Sequence, residues 1–200
     1  MTPPSHATFD TLRAGGPELV EELVDLLTKD AHERVRHANG FVRAHVLLSL
    51  DRATAVIHCQ WAGKPAAPLG EFASRPGVAV SSFVGTQTAG VAGPAASARP
   101  EIAAIATRHV DGHGGARELG ELLVRSGTWK RHFPGFIGAT AHISPDGRTY
   151  VNYPQWIDEA TYRSYMADPR IALGQQEIAR LEAAPPEFVL ARVAADIGPP

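Results

Sequence analysis

A fixed internal offset constrains this chain more than any other feature. Gly40-Phe41, Ala44, Asp51, Val56 and Gln60-Trp61 recur as Gly135-Phe136, Ala139, Asp146, Val151 and Gln155-Trp156, every pair 95 positions apart and without a gap. Arg36-His37 and Arg131-His132 extend the match upstream. An offset held this long predicts a duplication and hence two domains, 1–95 and 96–200, each of ordinary domain size.

The second copy of the repeat reads as a hairpin. Asp146-Gly147 is a strong two-residue turn signal. It places Ile143 opposite Tyr150, Ala141 opposite Asn152, and Ile137 opposite Trp156. Strand alternation then puts Tyr150, Asn152 and Trp156 on one face. An asparagine in mid-strand runs against β-propensity. Solvent exposure or a bulge is the plain reason for it; a polar group set in a pocket is the functional one.

Composition excludes several classes of function. Hydrophobic residues make up 44% and charged residues 20% of the 200, with a formal net charge of −2. That supports packed cores and offers no basic patch to nucleic acid. No apolar run reaches the ~18 residues of a membrane span. The start, Met1-Thr2-Pro3-Pro4-Ser5-His6, lacks the features of a secretory signal, so a cytoplasmic location is expected. Cys59 is the single cysteine, which rules out an internal disulfide and a cysteine metal cluster.

Taken in order, residues 7–13 read as a strand. Gly15-Gly16-Pro17 opens a helix with Leu19, Val20, Leu23, Leu26, Leu27, Ala31 and Val35 at helical spacing, ended by Asn39-Gly40. A hairpin over 41–61 turns at Asp51-Arg52. A short helix near 69–75 and then irregular or strand structure are expected, with Gly90 to Pro100 as a linker. The second domain reads as a strand over 101–110, a glycine-rich turn at 111–115, and a helix from Ala116 to His132 with Leu119, Leu122 and Leu123 inward. The hairpin follows. A helix then opens at Asp158-Glu159 and restarts at Asp168-Pro169, with Ile171, Ile178 and Leu181 inward. Phe188 to Val193 is the closing strand. The order β-α-β-β-α-β is the ferredoxin-like split unit. The expected fold is therefore α+β: two tandem ferredoxin-like domains packed as a pseudo-dimer, face to face or closed into a barrel that covers their edges. A self-contained monomeric pseudo-dimer and a homodimer both remain open.

Trp129, Pro134-Gly135-Phe136, Ala139-Thr140, His142, Asp146-Gly147, Val151-Asn152-Tyr153, Gln155-Trp156, Tyr162-Arg163 and Ala167-Asp168-Pro169 form a specific run. From about Val110 to Leu190 the chain resembles the antibiotic biosynthesis monooxygenase family of dimeric α+β barrels. The first domain resembles that family only through its repeat match. The resemblance implies a cofactor-independent monooxygenase: a phenolic or anthrone-type aromatic polyketide is oxidised to a quinone with molecular oxygen as co-substrate, and no flavin, haem or metal. By the same resemblance Asn152, Trp156 and Tyr162 are the catalytic residues. Trp129, Ala141, Tyr150 and Gln175 are expected to bind substrate. A family tyrosine falls at Ala141 and a helix arginine falls near Gln175, so space should open beside Asn152 for a larger substrate or a changed reaction. In the first domain Ile57 stands for Asn152, Val46 lies opposite it, and Ala67 stands for Tyr162. Trp61 alone survives, and the first half is expected to keep the fold without the chemistry.

The chemistry needs an ionisable, electron-rich substrate in an apolar cavity that carries a few polar groups. The Asn152 amide both donates and accepts and suits a phenolate or peroxide oxygen. The Trp156 indole donates and stacks, and the Tyr162 phenol can relay a proton. Each also has a plain structural reading, as core or helix packing. His142 faces away from Ala141 and reads as sheet packing. His109 and His113 straddle a turn and make no metal site, and Cys59 reads as a small buried hydrophobe. Two rival functions stand: a polyketide cyclase or aromatase that adds no oxygen, and a non-catalytic barrel that holds an aromatic ligand. Haem degradation ranks last, since no histidine is placed as an axial ligand.

Overall fold

The computed structural model describes residues 5–66 and 72–200. It contains two compact units, Met1–Thr86 with Ala191–Pro200, and Gln87–Leu190.

In the first unit, β1 (Ser5–Ala14) pairs antiparallel with β3 (Thr54–Ala62), and β3 with β2 (Phe41–Ser49). The first nine residues of β4 (Val78–Ala92) pair with β1, from Ala14 opposite Val78 to His6 opposite Thr86. The end of β8 (Ala184–Ile197) pairs with β2. Helix α1 (Pro17–Glu33) starts at a proline and buries Val20, Leu23, Val24, Leu27 and Ala31, the stripe that helical spacing demands. It stops before Asn39-Gly40, giving way to a 3-10 turn over Val35–His37 that buries Val35. The stripe packs on Leu12, Val46, Ile57 and Trp61 to form this unit's core. Of the helix expected near 69–75, residues 72–74 form a 3-10 turn; residues 69–71, like Ala67, lie outside the described residues.

The second unit holds β5 (Ile102–His109), β6 (Phe136–Ile143) and β7 (Thr149–Trp156), with β5 and β6 both antiparallel to β7. The hairpin brings Ile143 opposite Tyr150 and Ala141 opposite Asn152, but Phe136, not Ile137, opposite Trp156. A bulge between Phe136 and Gly138 accounts for the shift, and the first hairpin has the same irregularity between Phe41 and Arg43. Helix α2 (Gly112–Ser126) begins inside the stretch expected as a turn. It ends at Gly127 instead of running to His132, and a separate 3-10 turn, Lys130–His132, follows. The acidic residues at the next two helices act as read: Asp158 accepts from the Thr161 N–H at 2.7 Å to cap α3 (Glu159–Met166), and Asp168 accepts from the Arg170 N–H at 3.0 Å to cap α4 (Pro169–Ala179).

The strand pairing departs from the fold class expected from the sequence. Two tandem ferredoxin-like domains do not form. The eight strands hydrogen-bond in one closed order, β1-β3-β2-β8-β5-β7-β6-β4, as a single antiparallel barrel. The physical reason lies in β4 and β8, which are 15 and 14 residues long. Gly90 and its neighbours, expected as the start of a linker, belong to β4, and β8 starts at Ala184, ahead of the closing strand expected from Phe188 to Val193. Strands of this length leave no unpaired edge to be covered by packing.

Gly135 shows why the Pro-Gly-Phe motif has its form. Its φ is +73°, and a Cβ there would stand 2.5 Å from the Thr161 methyl carbon. Its carbonyl accepts from the Ile157 N–H at 3.0 Å. The start of α3 is thus seated directly on the entry to β6, which fixes Tyr162 and Tyr165 relative to the hairpin.

Candidate functional site

A cavity of about 280 Å³ lies in the second unit, at the small end of the range for ligand sites. Strand alternation on β7 sends Tyr150, Asn152, Pro154 and Trp156 to its wall, and β6 adds Ala139 and Ala141. Tyr162 and Tyr165 come from α3, Gln175 and Ile178 from α4, and Trp129 from the turn after α2. All seven positions singled out in the sequence, Trp129, Ala141, Tyr150, Asn152, Trp156, Tyr162 and Gln175, therefore meet at one cavity.

Trp156 is fully buried and forms the centre of an aromatic cluster. Its ring centre lies 4.7 Å from that of Tyr165, 4.9 Å from Phe136, 5.9 Å from Phe133 and 6.1 Å from Tyr162. Trp129 stacks on Tyr165 at 5.0 Å and carries the Arg170 guanidinium 3.8 Å above its own ring. The Trp156 indole N–H has no hydrogen-bond partner among the described residues. The Asn152 side chain, an amide that can both donate and accept, also has no hydrogen-bond partner among the described residues and lines the cavity.

Burial pushes the Tyr150 phenol up to about 12, with Arg108 offsetting part of the rise. Burial also raises Tyr162 and Tyr165. At neutral pH all three are protonated donors, not bases. Ala141 lies opposite Asn152 and is buried, so a small side chain stands where the resemblance implies a tyrosine.

Sequence reasoning missed several charged wall residues. Arg108, opposite Tyr150 on β5, is 3% exposed, pairs with Glu182 and donates to the Gln175 side-chain oxygen at 3.4 Å. A strand arginine thus reaches the place where the resemblance implies a helix arginine. Lys130 also lines the cavity, with Arg131 and Arg170. The signal for Lys130 was present: the same offset that aligns the two tryptophans sets it against Val35, a cation against a core residue.

His142 is buried on the sheet, and burial pushes it down to about 4. Cys59 is buried in the first unit, its thiol pushed up to about 12 by burial. Among the described residues no group of three or more His, Cys, Asp or Glu is placed to hold a metal ion. No helix among them is long and apolar enough to cross a membrane.

No family model matches the chain. Over 56 residues it is 50% identical to a tetracenomycin-F1 monooxygenase of Streptomyces glaucescens, covering 28% of this chain and 50% of that protein. The chain therefore spans only half the length of this curated relative. Solved structures are similar over nearly the whole length. An anthrone oxidase-like protein is 16% identical with a TM-score of 0.74, covering 96% of this chain and 93% of its own. A Fusobacterium nucleatum protein is 9% identical with a TM-score of 0.70, covering 99% and 96%. At these identities the two structures establish a shared fold, and they share it along the full chain, not half by half.

Proposed function

We propose that this relative of the tetracenomycin-F1 monooxygenase is itself a monooxygenase, oxidising a phenolic or anthrone-type aromatic polyketide to a quinone in antibiotic biosynthesis. One atom of O2 enters the product; the other leaves as water with the two hydrogens that the substrate loses. The reaction uses no flavin, haem or metal, because an ionised, electron-rich substrate passes the electrons to oxygen directly.

The observation that carries this reading is the aromatic cavity with an amide that is free for a ligand. Trp129, Trp156 and Tyr165 offer flat faces for a fused ring system. Asn152 holds the oxygen on which charge develops, in a site where little water competes. Tyr162, kept protonated by burial, returns a proton to reduced oxygen. Ala141 leaves room beside Asn152, and Tyr150 and Gln175 complete the lining that meets the substrate.

Oxygen uptake by the purified protein, with an anthrone and no added cofactor, tests the reading. The expected result is a quinone carrying one atom from labelled O2, with uptake lost in Asn152→Ala and much reduced in Trp156→Phe. Water loss without oxygen entry would make the protein a cyclase, and binding without any mass change would make it a ligand carrier.

A further inference from the structure

Lys130 opens the 3-10 turn Lys130–His132. Its ammonium lies 4.9 Å from the ring centre of Phe136, 5.4 Å from Trp156 and 4.9 Å from Tyr165. All three lie within cation–π range. No carboxylate pairs with it among the described residues, and no aspartate or glutamate lines the cavity. The other charged groups on the wall are Arg108, held by Glu182, Arg170, held by Asp168, and Arg131. The remaining titratable groups there are the phenols of Tyr150, Tyr162 and Tyr165.

The first unit shows that this turn does not need a cation. Its own 3-10 turn, Val35–His37, opens with Val35, which is 4% exposed and packs in the core with Phe41 and Trp61. Placing an ammonium where a valine suffices is unfavourable for folding. The apolar surroundings push Lys130 down to about 7. Near neutral pH the site thus holds both the amine, which can accept a proton, and the ammonium, which needs an anion.

We infer that Lys130 is the anion-binding residue of this site, and that its ammonium pairs with the ionised oxygen of a hydroxyaromatic ligand whose rings lie against Trp129 and Trp156. The neutral amine takes the proton of the ligand's hydroxyl, so one proton transfer creates both the phenolate and its counter-ion. No oxidant is needed for this step. The inference rests on the proposed function for the ligand class, and its test does not depend on turnover.

The probe is 1,2-dihydroxyanthraquinone, whose colour changes on ionisation. Its absorbance is titrated free, bound to the wild-type chain, and bound to Lys130→Met and Lys130→Arg. In the wild type and in Lys130→Arg the bound dye should ionise about one pH unit or more below the free dye. Lys130→Met should bind the dye anion about tenfold or more weakly, the equivalent of that unit, and should lose the downshift. Val35 indicates that Lys130→Met will fold, and its circular dichroism and Tm check this. An equal downshift in Lys130→Met, or a wild-type chain that fails to bind the dye or binds it only as the neutral form, overturns the inference. Oxygen uptake with an anthrone on the same preparations reports separately on the monooxygenase reading: intact uptake with an unshifted dye would sink the Lys130 inference alone.

Discussion

Trp61 and Trp156 occupy matching places in the two hairpins, each opposite the first phenylalanine of its partner strand. Both are buried, yet their indole N–H groups end differently. Trp61 donates to the Thr8 hydroxyl at 3.4 Å, while Trp156 has no partner among the described residues. In the second unit Ala104, on the cavity wall, takes the place of Thr8. The contrast repeats around both tryptophans. Ile57 answers to Asn152, Val46 to Ala141, Leu12 to Arg108 and Val35 to Lys130, by offset or by strand register. One unit puts hydrocarbon at these places and joins them into a continuous core. The other puts amide, cation and empty space there. The same hairpin geometry thus serves either as packing or as a site, and the choice rests on a few side chains.

The contrast can be broken most forcefully by giving Asn152 the residue of the first unit. Asn152→Ile should lower kcat/KM for anthrone oxidation by about 10²–10³-fold, the usual effect of removing a group that stabilises developing charge, with Tm unchanged or higher. Retention of a third of the wild-type activity would show that the amide is not what separates the two units.

Asp10 departs from the pattern, being a buried carboxylate in the unit that puts hydrocarbon at the matched places. It lies opposite Ile57 on one side and Ser82 on the other. Burial pushes it up to about 6, Ser82 lowers it in part, and neither oxygen has a hydrogen bond of ordinary length among the described residues. A carboxyl whose folded pKa is raised favours the fold below its unfolded value and loses that advantage as pH rises through about 6. Asp10→Asn should therefore stabilise the chain by about 3 kcal/mol at pH 8, falling towards zero near pH 4. His45 and His142, each pushed down to about 4 by burial, act in the opposite sense. Their contribution is present above about 6.5 and is lost as pH falls towards 4. Parallel urea melts of wild type and Asp10→Asn across this range separate the two effects; a pH-independent difference would contradict the assignment to Asp10.

Gly135→Ala should destabilise by about 2 kcal/mol or more, from a strained positive φ and the clash with Thr161. It should also cut activity by displacing Tyr162. Thermal melts and oxygen uptake on one preparation would show whether stability and turnover fall together; a variant as stable as wild type would remove α3 from the seating argument. Ala104→Thr offers Trp156 the hydroxyl that Trp61 enjoys and should raise stability by about 1 kcal/mol, read as a shift in the urea midpoint at constant slope. No shift, with Trp156 fluorescence unchanged, would mean that the hydroxyl does not reach the indole.

Much of this arrangement was legible in the residues. Period-two alternation put Tyr150, Asn152 and Trp156 on one face, Asp-Gly set the register around Ala141 and Asn152, and Asp158 and Asp168 marked the helix starts. These are local rules acting over a few residues, and they survive in any tertiary setting. The bulge after Phe136 escaped notice because it depends on partner strands and not on composition. The long course of β4 escaped because Gly90 and the small residues near it have weak local preference, and pairing with neighbouring strands decided their conformation.

The hairpin faces, the helix stripes and the capping residues follow from the sequence alone, through backbone periodicity and short-range hydrogen bonding, whereas Trp129, Tyr162 and Gln175 were pointed to by the family resemblance. The closing of eight strands in one order came from the tertiary structure alone. Only it decided that α2 stops at Gly127 so that Lys130 enters an aromatic box, and that Arg108 reaches Gln175 from a strand. Those outcomes join residues far apart in the chain, and there the balance between desolvating a charge and pairing it depends on neighbours that no local pattern names.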